Sequence, residues 1–197
     1  MKHAFLALVP LLCAACVSDR VGQARAAVEP ADFARLRALQ GTWKGTASST
    51  KGETFPVDVD YRLTGGGSAV VETLFRGTQH EMVTVYHCDG RDIVLTHYCA
   101  AGNQPRMRLA TPGEKELVFE FDGGTNFDPK KDGHMHVGRL EIVDADHVRT
   151  RWSYYSGGKL DHDAQFDIAR VAASPLDKVD VKAAELERLK ALGYAGK

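Results

Sequence analysis

Two neighbouring β-like segments, 80–88 and 93–99, carry the side chains with the clearest chemical potential. Asp89 and Gly90 lie between them, and an Asp-Gly pair flanked by β-rich segments is typical of a tight hairpin turn. For a loop of even length, side-chain alternation places hydroxyl, thiol, imidazole and apolar groups on one shared face. The members of this face are Met82, Thr84, Tyr86, Cys88, Ile93, Leu95, His97 and Cys99. A mixture of this kind indicates the lining of a ligand cavity.

His97 and Cys99 could also support catalysis. They point the same way along one segment, about 6 to 7 Å apart at Cα. His97 could act as a general base, or it could activate Cys99 as a nucleophile. The sequence shows neither a third orienting group nor a nucleophile-elbow motif. We therefore favour a buried imidazole that is hydrogen-bonded to Tyr86 or Thr84, and we assign no catalytic residue.

Cys88 and Cys99 are the two thiols of this hairpin. In the register above, Cys99 lies opposite Met82, six positions from Cys88. At about 3.3 Å per residue this separation is near 20 Å, whereas a disulfide requires Cα atoms closer than about 7 Å. We therefore predict two separate thiols, interpreted as small buried apolar groups rather than as a reactive pair.

Polar side chains cluster where the next segment begins, with Asn103 and Arg106 on either side of Pro105. If this loop borders a binding cavity, Arg106 or Arg108 would pair with a ligand carboxylate in bidentate fashion. Alternatively, the same side chains hold a tight turn through bonds to the backbone. Both interpretations stay open on the sequence alone.

His134 and His136 could begin a metal site, because residues two apart share a strand face. A transition metal requires a third ligand, and the candidates are His97, Cys99 and His147. The spacing of these residues does not define a site. We therefore predict solvated or hydrogen-bonded histidines, assign no metal site and leave the cofactor unknown.

The segments that position these residues alternate between apolar and polar side chains over the range 41–171. About ten short strands are predicted, separated by Gly, Asp and Asn turns. One of them is expected to direct Ala69, Val71, Thr73 and Phe75 to the same face. Clean alternation with short connections favours an all-β, antiparallel up-and-down barrel, because closure removes the exposed sheet edges. A β-sandwich is the alternative fold.

Helical spacing precedes and follows the strands. Residues 31–39 have an apolar side, which predicts a short N-terminal helix. That apolar side consists of Phe33, Leu36 and Leu39. After Pro175, apolar residues recur at helical spacing up to Leu192, and Gly193 occupies the position of a C-terminal cap. This pattern predicts a C-terminal amphipathic helix of about 14 residues.

Residues 1–16 resemble an export signal, with a short apolar stretch and small residues at its end. Ala14-Ala15-Cys16 resembles the end of a bacterial lipoprotein signal, in which the cysteine becomes the lipid-bearing first residue. Cys13 stands where such signals usually have leucine, and Val17 after the cysteine would favour the outer membrane. We expect a protein of the cell envelope that is lipidated on Cys16. Ordinary cleavage, giving a periplasmic or secreted protein, is the alternative.

The chain divides into four parts. They are a signal peptide (1–16), a flexible tether (17–30), the barrel domain (31–171), and a linker with the C-terminal helix (172–197).

There are 25 basic and 26 acidic residues, a formal net charge of −1, and no basic block. This balance argues against a nucleic-acid partner. The sequence gives no sign of the oligomeric state.

Both ends of the barrel sequence carry a family resemblance. Gly41-Thr42-Trp43-Lys44-Gly45 resembles the Gly-x-Trp opening of lipocalins, fatty-acid-binding proteins and nitrobindin-like barrels, in which the Trp plugs one barrel end. Phe166-Asp167-Ile168-Ala169-Arg170 resembles their last strand, whose Arg packs over that Trp. The stretch between them looks like a bacterial family of exported lipocalin-like proteins to which no activity is assigned. Similarity to nitrobindin would imply a haem held by His162, although the wider nitrobindin signature is missing.

The expected biochemistry is binding of a small, partly apolar molecule inside the barrel. The predicted ligand-lining residues are Tyr86, Thr84, His97, Cys99, Arg106, Asn103 and Trp43. One alternative is an enzyme that uses His97 and Cys99. The other is a structural or interaction module of the cell envelope, with a packed barrel and the C-terminal helix as its docking face.

Overall fold

The computed structural model describes residues 30–52 and 54–173, which form a closed barrel of ten antiparallel strands. The elements are α1 (Ala31–Arg37), β1 (Gly41–Ser49), β2 (Thr54–Thr64), β3 (Ala69–Leu74), β4 (Met82–Asp89), β5 (Asp92–Tyr98), β6 (Gln104–Pro112), β7 (Glu116–Thr125), β8 (His134–Asp144), β9 (His147–Ser156) and β10 (Lys159–Ala173). Each strand pairs with its neighbours in sequence, and β1 pairs with β10 to close the barrel. The predicted up-and-down barrel is confirmed, and the sandwich is excluded. The predicted signal peptide and C-terminal helix lie outside the described residues.

The two ends of the barrel differ. At the helix end lie α1 and the connections β2–β3, β4–β5, β6–β7 and β8–β9; the other connections lie at the far end. The helix buries Phe33 and Leu36, as predicted, and Leu39, two residues after its end, is also buried. Together these side chains cover the helix end. Arg35 of α1 donates a hydrogen bond of 2.7 Å to the carbonyl of Gly113 in the β6–β7 connection. No helix within the described residues has the length and apolarity needed to cross a bilayer.

Trp43 plugs the helix end, as the resemblance implied. Its side chain is buried, and its indole Nε1–H donates to the carbonyl of Leu39 at 2.8 Å. The guanidinium carbon of Arg170, on β10, lies 4.2 Å from the centroid of the Trp43 ring. Arg170 also donates to four backbone carbonyls, those of Ala38, Leu39, Gln40 and Ala145. This arginine therefore ties the end of α1 and the β8–β9 connection to the plug.

Apolar side chains from the strands fill the interior, and the predicted inward face of β3 is wrong by one residue. Val70, Glu72 and Leu74 are the most deeply buried residues of the strand, at 0%, 1% and 3% exposure, whereas Thr73 is 8% exposed. Ala69 and Val71, which were expected to point inward, are half-buried. The strand carries apolar residues on both faces, so alternation alone does not identify the inner one. The carboxyl group of Glu72 therefore lies inside the barrel.

Replacing Arg170 by Met should lower the free energy of unfolding by about 2–4 kcal/mol, because backbone carbonyls lose a charged donor and Trp43 loses its cation–π contact. Met keeps the apolar stem of the side chain. The matched control is Arg62→Met, at an exposed arginine on β2, which should change the free energy by less than about 0.5 kcal/mol. Urea unfolding measures both, and equal effects would contradict the role given to Arg170.

Candidate functional site

The β4–β5 hairpin has the predicted register. Thr84 lies opposite His97, and Tyr86 lies opposite Leu95, across a two-residue turn. All four side chains are buried. The mixed face that the sequence predicts is therefore an inner face of the barrel.

A continuous row of polar side chains crosses four strands of the interior. Tyr61 on β2 pairs with Glu72 on β3, Glu72 pairs with Thr84 on β4, and Thr84 pairs with His97 on β5. Each of the four is 1% exposed; we call this set the polar row. Because strands tilt against the axis of a closed barrel, the row runs from the helix end at Tyr61 towards the far end at His97.

Glu72 is a carboxyl group buried in the apolar core. Its Oε2 accepts a hydrogen bond of 2.5 Å from the hydroxyl of Tyr86. Burial raises the pKa of Glu72 to about 7, against the smaller opposing effect of the Tyr86 bond. Burial and the nearby Glu72 charge also raise the pKa of Tyr61 and Tyr86 well above the ordinary value. Both phenols therefore stay protonated, and the acid changes its charge near neutral pH.

His97 contacts the opposite wall of the barrel. Its Nδ1 lies 2.9 Å from Oγ1 of Thr84, and its ring packs on Trp152 of β9 with centroids 5.2 Å apart. Strands β5 and β9 are not neighbours, so this contact spans the interior. Gly138 lies opposite Trp152 on β8, and a Cβ there would lie 3.1 Å from the indole. Burial lowers the pKa of His97 to about 4, which keeps the imidazole neutral at pH 7.

Three buried polar atoms in this region have no hydrogen-bond partner among the described residues. They are Tyr61 Oη, His97 Nε2 and Trp152 Nε1. A buried polar group without a partner costs about 1–3 kcal/mol, and folded proteins contain few of them. The three side chains are 1–3% exposed, so almost none of their surface is open to water. A bound molecule with polar atoms would supply the partners that these atoms lack.

Cys88 and Cys99 form no disulfide with each other, as predicted. Burial raises the pKa of the Cys99 thiol, and burial lowers that of His97. Both shifts favour the neutral forms rather than a thiolate–imidazolium pair. Nδ1 of His97 is directed to Thr84. This geometry does not assemble a cysteine nucleophile with its base.

Two predicted lining residues, Asn103 and Trp43, donate side-chain hydrogen bonds to backbone carbonyls of the barrel ends. The Asn103 side chain donates a hydrogen bond of 2.7 Å to the carbonyl of Gly133, joining the β5–β6 and β7–β8 connections at the far end. The Trp43 indole N–H is directed to a backbone carbonyl at the helix end. Trp43 also contacts Tyr61 edge-on, with ring centroids 6.3 Å apart. The plug therefore adjoins the first member of the polar row.

The prediction that Arg106 belongs to the barrel lining is wrong. Its side chain is 51% exposed, and its guanidinium forms an ion pair of 3.1 Å with Asp122. Pro105 and Met107 on either side of it are buried, and alternation along β6 therefore turns Arg106 to the outer face. Arg108 lies on the same outer face and pairs with carboxylates there.

The histidines predicted as possible metal or haem ligands bond to other groups. Nε2 of His134 lies 3.0 Å from Nδ1 of His136. His147 and His162 are each within hydrogen-bonding distance of an aspartate carboxylate. Over residues 30–52 and 54–173, no cluster of three His, Cys, Asp or Glu side chains could hold a metal ion.

Sequence reasoning missed three members of this region. Tyr61 and Trp152 stand at inward positions of correctly predicted strands, but nothing in the sequence shows that Trp152 meets His97. Glu72 was assigned to the wrong face of β3. A lone carboxylate within the apolar segment 69–74 was the signal that could have identified it.

The chain matches no protein-family model and no curated protein in sequence. Among solved structures it resembles a protein of unknown function from the DUF3598 family of Nostoc punctiforme PCC 73102, with 10% identity and a TM-score of 0.49 over 69% of this chain. The chain spans about half, 49%, of the length of that protein. It also resembles an S-type phycobiliprotein lyase from Guillardia theta (10% identity, TM-score 0.38, 72% and 93% of the two chains). A de novo designed fluorescence-activating β-barrel is similar as well (14% identity, TM-score 0.34, 68% and 95%). These similarities concern the barrel architecture alone.

Glu72 and His97 should oppose each other in the pH dependence of stability. The pKa of Glu72 is about 7 in the folded chain and 4.5 ordinarily, so its contribution to stability is lost as the pH rises from about 4.5 to about 7. The pKa of His97 is about 4 when folded and 6.5 ordinarily, so its contribution is lost as the pH falls from about 6.5 to about 4. Each effect is about 3 kcal/mol in size, and the two nearly cancel in the natural chain.

Replacing Glu72 by Gln should remove one of these two contributions, so that the pH dependence due to His97 is no longer cancelled. The difference in unfolding free energy, Glu72→Gln minus the natural chain, should grow by about 3 kcal/mol between pH 4.5 and pH 7, because Gln cannot ionise. Urea unfolding at a series of pH values measures the difference. The control is Glu120→Gln at an exposed position of β7, whose difference should stay nearly constant. A constant difference for Glu72→Gln would contradict a buried carboxyl group with a raised pKa.

Proposed function

We propose that this chain is an exported, lipocalin-like barrel protein that binds a small, partly apolar molecule in its interior. The polar row and Trp152 supply the polar anchors, and the surrounding core supplies the apolar contacts. The Trp43 plug and the Arg170 contact support the resemblance to lipocalin-type and fatty-acid-binding barrels. No reaction is assigned to the site.

The observation that carries the proposal is the group of unpartnered buried atoms on Tyr61, His97 and Trp152. Each would gain a hydrogen bond from a bound molecule, at a place where water has almost no access. Aromatic rings surround the same region; Tyr86 and Phe119 contact each other across the barrel with centroids 5.6 Å apart. Polar anchors within an apolar lining are what a small-molecule site requires.

Entry of a molecule requires some interior side chains to move, because the core is closely packed. Met82 borders the core at the far end, and Met107 is buried within it. Methionine is unbranched and adapts its shape at low cost. The far end also lacks a covering helix among the described residues. We infer that a molecule enters there, close to His97.

We further propose that the chain works in the cell envelope. The support is the sequence of residues 1–16, whose end resembles a lipoprotein signal with Cys16 as the lipid-bearing residue. A lipid on Cys16 would hold the barrel at the outer membrane through the tether 17–30. Small-molecule binding beside a membrane suits a carrier or a sensor.

A packed interaction module is the second candidate, and the outer surface favours it. A groove of about 510 Å³ crosses the outer face of β7 to β10 and β1. Arg139 and Arg149 pair there with carboxylates. Arg151 lines the same groove and has no ion-pair partner among the described residues. An acidic surface on a partner protein would supply a carboxylate that pairs with the Arg151 guanidinium.

Native mass spectrometry of residues 17–197, purified from a bacterial periplasm with nothing added, tests the two candidates. A stoichiometric extra mass that is lost on unfolding is expected from the ligand proposal. The control is the same chain refolded without other molecules, which should show the bare mass. A bare polypeptide mass in repeated periplasmic preparations would contradict the ligand proposal and favour the interaction module.

A further inference from the structure

The hydrogen-bond partners of Thr84 define which nitrogen of His97 carries the proton. Within the described residues, the partner of the Thr84 hydroxyl is Nδ1 of His97. If Thr84 donates to Nδ1, its hydroxyl proton is satisfied, and the neutral imidazole then carries its proton on Nε2. If Nδ1 donates instead, the Thr84 proton and the Nε2 lone pair are both buried without a partner. The first arrangement leaves fewer unpaired groups and is therefore the stable one.

His97 and Trp152 then offer two N–H donors on rings that pack against each other. Indole Nε1–H is always a donor, and in the stable arrangement Nε2–H of His97 is a donor as well. Both atoms are buried and have no partner among the described residues. Their rings pack with centroids 5.2 Å apart and planes 32° apart. A carbonyl oxygen has two lone pairs and can accept from both donors.

The groups around this pair are apolar or uncharged. The imidazole is neutral at pH 7, and no lysine or arginine belongs to the buried set of the described residues. The nearest carboxyl of the polar row, that of Glu72, lies two strands away from His97. A ligand carboxylate would find no cation here and would be poorly stabilised. An uncharged acceptor oxygen fits these surroundings.

We propose that the interior site, resting on the function proposed above, selects small apolar molecules with an uncharged carbonyl group, and that this oxygen accepts hydrogen bonds from Trp152 Nε1 and His97 Nε2. The apolar body of the molecule then occupies the space of the movable core side chains. Alkanes of equal length lack the acceptor and leave both donors unpaired.

Nuclear magnetic resonance of the ¹⁵N-labelled chain 17–197 tests this assignment with 2-decanone and n-decane as probes. The chain has two tryptophans, so its spectrum has two indole N–H resonances. The ketone should move the Trp152 resonance downfield, and the alkane should not. The Trp43 resonance is the internal control, because its N–H already donates to Leu39. Movement of both resonances alike, or an equal response to the alkane, would overturn the proposal.

The variant Trp152→Phe identifies its resonance and removes one donor while keeping an aromatic ring. It should weaken 2-decanone binding about tenfold and leave decane binding unchanged. The matched control is Tyr98→Phe, at a half-exposed tyrosine on β5, which should bind both probes like the natural chain. An unchanged preference for the ketone in Trp152→Phe would overturn the proposal.

Two further measurements do not depend on how that variant folds. Long-range ¹H–¹⁵N spectra of His97 should show the Nε2-protonated form, and a proton on Nδ1 would overturn the assignment of two donors. If a molecule co-purifies with the chain, the elemental composition derived from its accurate mass should include oxygen. A resident molecule without oxygen would overturn the carbonyl assignment and leave the proposed function intact, whereas a bare native mass would overturn both.

Discussion

Closure of the sheet between β1 and β10 is the constraint on which the other features depend. The two backbones approach so closely that a Cβ at Gly45 would lie 1.9 Å from the carbonyl oxygen of Asp167. Glycine at this position therefore permits closure. A closed sheet has no edges, and every inward side chain faces one common interior. This is why His97 and Trp152 meet although their strands are not neighbours.

The interior that closure creates is largely apolar, and the polar row crosses it. Glu72 and Tyr86 satisfy each other there, and Thr84 satisfies one nitrogen of His97. These pairs offset much of the cost of burying polar groups, because a buried hydrogen bond replaces one made to water. The second nitrogen of His97 and the hydroxyl of Tyr61 have no hydrogen-bond partner among the described residues. An apolar side chain of similar shape would avoid that cost, so stability alone does not account for these residue types.

Much of the fold could be predicted from the sequence, because period-two alternation and turn residues are local signals. The pairing of Thr84 with His97 followed from such signals, since the two strands are joined by a short turn. The position of Glu72 did not follow, because both faces of β3 carry apolar residues and alternation was ambiguous there. The outward direction of Arg106 did not follow either, because a polar side chain next to a turn is compatible with both a cavity entrance and the outer surface.

Contacts across the barrel lay beyond sequence reasoning for a physical reason. Alternation shows which face a residue occupies, but it does not show the tilt of the strands that decides which distant strands meet. The pairing of His97 with Trp152 depends on that tilt and on the small Gly138, which leaves room for the indole. The candidate site is therefore a property of the closed barrel rather than of any one segment.

Binding and packing compete for the same space in this interior. A molecule that enters must displace side chains such as Met107, and the lost contacts oppose its binding. Each unpartnered donor that gains an acceptor recovers about 1–3 kcal/mol, which offsets part of that loss. A purely apolar molecule recovers nothing at these atoms and only exchanges one set of apolar contacts for another. A closed core with unpartnered donors therefore discriminates by the polar group of the ligand, while the adaptable core tolerates variation in its apolar body.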